Sequence, residues 1–198
     1  MDLVSRAKNI CLSPASEWRV IESEPATTGE LLSGYALPLA AIGAIAGFIG
    51  SVLLSGMFGA LGMYRPSLFY VLTNAILGVG VALVMCVVLG MIIDALAPTF
   101  NGQKNSMQAL KLAVYSYTPA WLAAILTIIP ILGGLAVLVG SLYSLYVLYV
   151  GIPIMMKAPQ DKAVPYTVVI VLCAIALWLV LFAFLGMFMA ASMFARAV

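Results

Sequence analysis

The chain has 198 residues, of which 65% are apolar and only 8% are charged, with a net charge of +2 and no histidine. A water-soluble domain carries about 25% charged residues, so this composition excludes an ordinary soluble protein and indicates an integral membrane protein. The small net charge argues against nucleic acid as a partner. The lack of histidine removes the commonest general base and the commonest zinc ligand.

Residues 1–32 form a polar segment ahead of the apolar spans. Leu3, Ala7 and Ile10 recur at helical spacing, which predicts a short amphipathic helix lying at the membrane interface. Ser13 followed by Pro14 predicts the start of a second short helix that ends near residue 23. We therefore expect residues 1–32 to be a cytoplasmic or interfacial segment with short amphipathic helices.

Two features of this segment suggest contacts. Trp18 fits the aromatic belt found at membrane surfaces. The acidic residues Glu22, Glu24 and Glu30 are interpreted as a solvated linker, with contact to a basic partner as the alternative.

Five apolar runs follow, each able to cross the hydrocarbon layer, which takes roughly 20 helical residues. They predict an all-α integral membrane bundle of five transmembrane helices in residues 33–198, with the lipid bilayer as its surroundings. The predicted spans are Tyr35–Met63, Leu68–Leu96, Leu110–Ile129, Ile131–Met156 and Val164–Ala195.

The Lys and Arg residues of the short loops predict the orientation of the bundle. Cytoplasmic loops carry an excess of these residues. With a cytoplasmic N-terminus, only Arg65 and Arg196 fall outside, so we predict the N-terminus in the cytoplasm and the C-terminus outside. The seven residues then inside are Arg6, Lys8, Arg19, Lys104, Lys111, Lys157 and Lys162.

Small residues recur every four positions in the first two spans. Such rows allow close backbone approach, which holds helices together in lipid. We interpret both rows as helix-packing surfaces, with a water path or a hinge as the alternative. The rows are Gly43, Gly47, Ser51, Ser55 and Gly59 in the first span, and Asn74, Gly78, Ala82, Cys86 and Gly90 in the second.

Asp94 is the only acidic residue inside the five predicted spans. Carboxylates at membrane depth are costly and usually serve a function. Because Asp94 lies near the end of its span, we interpret it as an interfacial anchor or salt-bridge partner. A functional contact with an ion, a proton or a headgroup is the alternative.

Hydroxyl and aromatic residues concentrate in the third and fourth spans. Pro119 cannot donate a backbone hydrogen bond, so it frees a carbonyl one turn earlier, and Lys157 can extend to the cytoplasmic surface. We interpret the hydroxyls as interhelical hydrogen-bonding groups, with a ligand-lined cavity as the alternative. The candidate polar intramembrane site comprises Asp94, Tyr115, Tyr117, Thr118, Pro119, Tyr143, Tyr146 and Lys157.

Known catalytic patterns are missing from the sequence. It has no histidine for a triad, no paired intramembrane carboxylates, no phosphate-binding loop and no metal-ligand spacing. We therefore expect no catalytic residues, no cofactor, no metal and no enzymatic activity.

The stretches TPAWLAAILTIIPILGGL (118–135) and LYSLYVLYVGIPIMMKAPQDKAVPYTVVIV (142–171), with SPASEWRVI (13–21), closely resemble the bacterial branch of the Yip domain family. These five-span membrane proteins are related to eukaryotic proteins that interact with Ypt/Rab GTPases. The resemblance implies an all-helical membrane domain with a cytoplasmic N-terminus, located in the bacterial inner membrane. Eukaryotic members resemble trafficking factors acting in vesicle budding and Golgi organisation.

Two hypotheses of function remain. The first is a non-enzymatic scaffold or adaptor for membrane organisation or trafficking-like roles, with a protein partner at the cytoplasmic face. The second is a small transporter or channel for an ion or small solute, lined by Asp94 and the tyrosine hydroxyls. Because five spans make a thin bundle for a pore, the second hypothesis implies a homo-oligomer.

Overall fold

The computed structural model describes residues 2–59, 62 and 66–195. All regular elements within these ranges are helical, which confirms the predicted all-α class. The α-helices are α1 (Leu3–Leu12), α2 (Pro14–Ser23), α3 (Leu37–Gly59), α4 (Leu68–Leu96), α5 (Ser106–Ser116), α6 (Thr118–Ala124), α7 (Pro130–Met155) and α8 (Ala163–Ala195). A π-helical segment, Glu30–Ala36, leads into α3, and 3₁₀ turns lie at Ala97–Phe100, Ile125–Ile128 and Gln160–Lys162.

Five helical stretches are long and apolar enough to cross a membrane, as predicted. They are Glu30–Gly59, Leu68–Phe100, Ser106–Ile128, Leu132–Met155 and Gln160–Leu181. The first begins earlier than expected, because the π-helical segment continues the helix toward the N-terminus. Residues 60, 61 and 63 of the predicted first span lie outside the described residues, as do Arg65 and Arg196.

Local sequence signals explain several helix boundaries. Ser67 precedes α4 in an extended conformation, and its side chain accepts a hydrogen bond from the backbone N–H of Tyr70. Asn105 caps α5 in the same way, accepting from the backbone N–H of Gln108 at 3.1 Å. Pro14 occupies the first turn of α2, where its missing N–H costs nothing.

The third span is interrupted, contrary to the prediction of one continuous helix. α5 ends at Ser116 and α6 starts at Thr118, with Tyr117 in a turn between them. Pro119 has no N–H to donate to the carbonyl of Tyr115, so the ladder of helical hydrogen bonds stops there. The N–H of Ala120 then donates to Oγ of Ser144 on α7 at 3.2 Å.

The two ends of the bundle differ. We call "polar end" the end formed by α1, α2 and the 3₁₀ turns Ala97–Phe100 and Gln160–Lys162. The "turn end" is the opposite end, at the Ile125–Ile128 turn. The main cluster of buried apolar side chains joins α1 and α2 to the polar-end halves of α4, α5, α7 and α8.

Glycines from both rows of small residues lie against the third span. Gly43 approaches α6, where an added Cβ would lie 3.0 Å from the Cβ of Ala124. Gly90 approaches α5, with an added Cβ 3.1 Å from the Cα of Leu110. Between them, Gly43 and Gly47 of α3 face Gly78 of α4 across a groove of about 480 Å³. The absence of side chains on Gly43 and Gly90 therefore lets the third span pack closely against α3 and α4.

Candidate functional site

The N-terminal unit, residues 3–23 in α1 and α2, has a buried face that contains charge. In α1 the buried residues are Arg6, Ala7 and Ile10, and in α2 they include Glu17 and Trp18. The guanidinium of Arg6 donates to the carboxylate of Glu17 at 2.5 Å. It also pairs with Glu24, which follows α2. This three-residue network replaces the solvated linker that the sequence predicted for Glu24.

Trp18 joins the N-terminal unit to α7. Its side chain is 0% exposed, so the predicted membrane-surface position is wrong. The indole N–H donates to the carbonyl of Val147 at 3.0 Å. An added Cβ at Gly151 would lie 2.7 Å from the indole ring. The Trp18 ring therefore fits against α7 only because residue 151 has no side chain.

A cluster of Tyr35, Tyr115 and Thr118, here called the tyrosine centre, connects the first and third spans next to this unit. The rings of Tyr35 and Tyr115 meet edge to face, with centroids 4.6 Å apart. The Tyr35 hydroxyl and Oγ1 of Thr118 share a hydrogen bond of 2.9 Å. The guanidinium carbon of Arg6 lies 5.7 Å from the centroid of the Tyr115 ring, and the Trp18 ring contacts the same tyrosine edge to face.

Further side chains tie the N-terminal unit to the spans. The Tyr143 hydroxyl donates to the carbonyl of Cys11 at 2.6 Å. The ammonium of Lys111 donates to the carbonyls of Ile21 and Glu24, the first at 3.0 Å. Lys157 pairs with Glu22.

Tyr117 and Tyr146 have different surroundings from the tyrosine centre. The Tyr117 ring stacks on Trp121 with centroids 5.8 Å apart, and Tyr117 lines a cavity of about 330 Å³ with Ser116 and Ser144. Oγ of Ser116 is buried without a hydrogen-bond partner among the described residues. Tyr146 is 49% exposed and contacts the Tyr143 ring at a centroid distance of 5.5 Å.

Asp94 lies in a separate place. It lines a cavity of about 480 Å³ between the end of α4 and the start of α5, together with Lys104 and Ser106. Tyr115 and Thr118 instead belong to the tyrosine centre, and Pro119 is packed at the start of α6. The residues predicted as one polar site are thus divided among the Asp94 cavity, the tyrosine centre, the cavity beside Tyr117, and the contacts of Tyr143 and Lys157 with the N-terminal unit. In the described ranges, His, Cys, Asp and Glu form no group of three that could hold a metal.

The model of the Yip1 domain family matches residues 8–195 of the chain. This protein belongs to the Yip1 domain family. The predicted resemblance is confirmed, and the match extends from α1 to α8.

This Yip1 domain protein is 29% identical over 157 residues to the inner membrane protein YohC of Escherichia coli strain K12. That match covers 78% of the chain and 80% of YohC. The figures are the same for inner membrane protein YohC of Escherichia coli O6:H1 strain CFT073. No solved structure matches the chain. With five membrane-crossing helices, the Yip1 domain protein is a multi-pass protein of the inner membrane, as predicted.

Arg6 and Glu17 of this Yip1 domain protein were not predicted as site residues, although the sequence carries a signal for them. Arg6 falls three residues after Leu3 and four before Ile10, so it lies on the apolar stripe of α1. Glu17 lies on the stripe of α2 beside Trp18. Opposite charges on the apolar faces of two consecutive short helices indicate a buried ion pair, because each charge needs a partner when it leaves water.

Proposed function

We propose that this Yip1 domain protein is a non-enzymatic scaffold or adaptor that organises the membrane or its protein partners, in trafficking-like roles. Its working surface would be the outward face of the N-terminal unit, directed to the cytoplasm. The observation that carries the proposal is the seating of Trp18 against α7, which holds that face in a fixed place. A preformed surface binds a partner with little ordering cost.

The composition of the outward face supports a protein partner. Val4 and Leu12 are 68% and 70% exposed on α1, with the exposed Lys8 between them. Arg19 is exposed on α2, whereas Arg6 is turned inward to the acidic residues. The outward face therefore combines apolar side chains with positive charge, which fits an acidic, amphipathic segment of a protein.

A cytoplasmic polar end belongs to the same proposal. The seven Lys and Arg residues assigned to the cytoplasm lie on α1, α2, the middle of α5 and the connections around 101–105 and 157–162. These parts are linked at one end by contacts such as Lys157 with Glu22 and the N–H of Gln103 with the carbonyl of Met156. An excess of positive charge at one end favours its placement inside.

Crosslinking in cells tests the scaffold role. A photoreactive residue at Lys8 or Arg19 should give a defined crosslinked product with a partner. The same residue at Ala7, which lies on the buried face of α1, is the matched control and should give none. Crosslinks from none of the three positions would contradict the proposal, and crosslinks between copies of the chain would indicate a homo-oligomer in place of a separate partner.

The transporter hypothesis has one observation in its favour. Oδ1 of Asp94 is buried and without a partner in the described part of the chain, beside an open cavity. Against it, Tyr115 and Thr118 face the tyrosine centre, so the residues expected along one route lie apart. In proteoliposomes we expect no flux of protons or of a panel of ions above that of the Asp94→Asn variant. Flux lost in Asp94→Asn would overturn the scaffold role.

A further inference from the structure

The cavity beside Asp94 has the form of a wedge between two helices. At its closed edge, α4 and α5 touch through their backbones, because an added Cβ on Gly90 would lie only 3.1 Å from the Cα of Leu110. One turn closer to the polar end, Asp94 and Ser106 line opposite walls of a space of about 480 Å³. The close approach of the two helices at Gly90 thus forms the closed edge of the cavity.

The carboxylate of Asp94 has unused hydrogen-bonding capacity. Its Oδ1 is buried without a donor among the described residues. A nearby hydroxyl group, that of Tyr166, donates instead to the carbonyl of Ile93. A buried carboxylate oxygen without a donor is costly, so a donor from outside the chain would be favoured. The carboxyl torsion is soft, and either oxygen can therefore face the cavity.

Lys104 supplies positive charge on the same cavity from a fixed backbone. Next to it in sequence, the N–H of Gln103 donates to the carbonyl of Met156 at 2.7 Å, and Asn105 caps α5. Asp94 and Lys104, both within the described ranges, form no ion pair with each other. An anion and a cation that share a cavity without neutralising each other suit a ligand that carries both charges.

The remaining wall of the cavity is apolar and reaches the lipid-facing surface. Val87 and Leu110 line it, and Met91, which is 67% exposed, lies at its edge. The cavity also lies at the membrane-crossing limits of α4 and α5, where lipid headgroups meet acyl chains. A ligand with a dipolar head and an apolar tail fits both parts of this wall.

We propose that this wedge binds the headgroup of an aminophospholipid. The primary ammonium donates to Asp94, the phosphate accepts from Lys104 and Ser106, and an acyl chain lies along Val87 and Met91. The dipolar chemistry is shared with soluble phosphoethanolamine, and the apolar wall favours the lipid as its source. The site adds a ligand to the bundle without depending on the scaffold role.

Lipid retention by the full-length protein tests the site. The protein is reconstituted in nanodiscs of phosphatidylglycerol with a rising fraction of phosphatidylethanolamine, and retained lipids are counted by native mass spectrometry. Wild type should retain phosphatidylethanolamine in preference. Asp94→Asn should reduce that preference about tenfold, the effect of losing one charge-assisted hydrogen bond. Lys104→Gln should weaken retention of both lipids alike, because both carry the phosphate.

Asp161→Asn is the matched control, since Asp161 is an exposed acid at the same end of the bundle, in the turn Gln160–Lys162. It should leave the preference unchanged. Equal retention of the two lipids by wild type, or an unchanged preference in Asp94→Asn, would overturn the proposal. Displacement of the lipid by an equal concentration of soluble phosphoethanolamine would overturn the lipid as the ligand.

A headgroup series on wild type keeps the proposal testable if Asp94→Asn fails to fold. Phosphatidylcholine has a methylated nitrogen with no N–H to donate, so it should be retained less than phosphatidylethanolamine. Equal retention of these two lipids would count against the site. The assay reads lipid preference without partner or flux, so failure of the lipid site and failure of the scaffold role are seen separately.

Discussion

The polar end and the turn end of the bundle are held together by different means. At the polar end, side chains attach the N-terminal unit to the spans, through Trp18, the Arg6 network and the tyrosine centre. At the turn end, the spans approach through their backbones. An added Cβ would overlap the carbonyl oxygen of Thr127 at Gly50 and would lie 2.6 Å from the Cα of the same residue at Gly133. Lipid gives no hydrophobic drive between helices, so close backbone contact takes its place there.

The largest effect is expected from removing the side chain that seats the N-terminal unit. Trp18→Ala leaves a cavity and removes the indole donor to the carbonyl of Val147 on α7. It should lower the free energy of unfolding by about 3–5 kcal/mol, measured by denaturant titration in mild detergent. Val20→Ala is the matched control on α2, because Val20 is 41% exposed, and should change it by less than about 1 kcal/mol. Equal losses of unfolding free energy in the two variants would contradict the conclusion that buried side chains hold the N-terminal unit at the polar end.

A double-mutant cycle tests the buried ion pair. Arg6→Met leaves Glu17 buried with no cation, which should cost about 3 kcal/mol. Arg6→Met combined with Glu17→Leu should recover most of this loss, because an apolar pair of similar volume needs no charge compensation. Additive losses in the double variant would show that the two residues act independently.

Glycine substitutions probe the turn end. An added Cβ on Gly140 would overlap the Cβ of Ala123 and lie 2.9 Å from the carbonyl oxygen of Pro119, so Gly140→Ala should destabilise the protein by about 1–3 kcal/mol. Gly78→Ala is the matched control, since an added Cβ there meets nothing within 4 Å. It should be neutral or stabilising by up to about 1 kcal/mol, because alanine favours helix over glycine. Thermal unfolding in detergent measures both, and the reverse order would contradict backbone packing at this end.

Two tyrosines on α7 provide a smaller test at the polar end. Tyr143→Phe removes the hydrogen bond to the carbonyl of Cys11 and should cost about 1 kcal/mol in unfolding free energy. Tyr146→Phe, one turn away and 49% exposed, should change it by less than half as much. A larger effect of Tyr146→Phe would indicate that its hydroxyl serves a role outside the fold.

The smallest effect concerns thiol reactivity in α1. Burial raises the pKa of the Cys11 thiol, so less of it is thiolate at pH 8 than in an unfolded chain, and the thiolate fraction grows as pH rises. In a chain without the other cysteines, alkylation of Cys11 at pH 8 should be slower than that of Leu12→Cys combined with Cys11→Ser, since residue 12 is 70% exposed. Mass spectrometry of the timed reaction measures both rates, and equal rates would show that the N-terminal unit is not seated.

The amino-acid sequence predicts the membrane-crossing helices well. α4 begins and ends at the predicted Leu68 and Leu96 because Ser67 caps its start and Pro98 follows its end. The break at Tyr117 was missed because a proline in a membrane helix can be accommodated by neighbouring groups. Here the Ser144 hydroxyl on α7 takes the freed N–H, and that contact depends on tertiary packing.

The candidate site was less predictable. Asp94 and Tyr115 are both polar residues in apolar surroundings, yet Asp94 lines a cavity and Tyr115 is covered by α1 and α2. Periodicity places a residue on a face of its helix, but it does not say which other helix covers that face. For Trp18 the covering element is α7, which lies far along the chain, and the composition of residues 1–32 alone suggested a membrane surface.

The hydrogen bond between Trp18 and Val147 also sets an order of events during synthesis. Its two residues are 129 positions apart. The ribosome completes α2 long before α7, and domains assemble as their parts emerge. The α7 contact of Trp18 therefore forms only after the fourth span has been made, whereas the contacts of α1 and α2 with Lys111 and Tyr115 need only the third span. The docked position of Trp18 therefore requires that the hairpin of the third and fourth spans is in place.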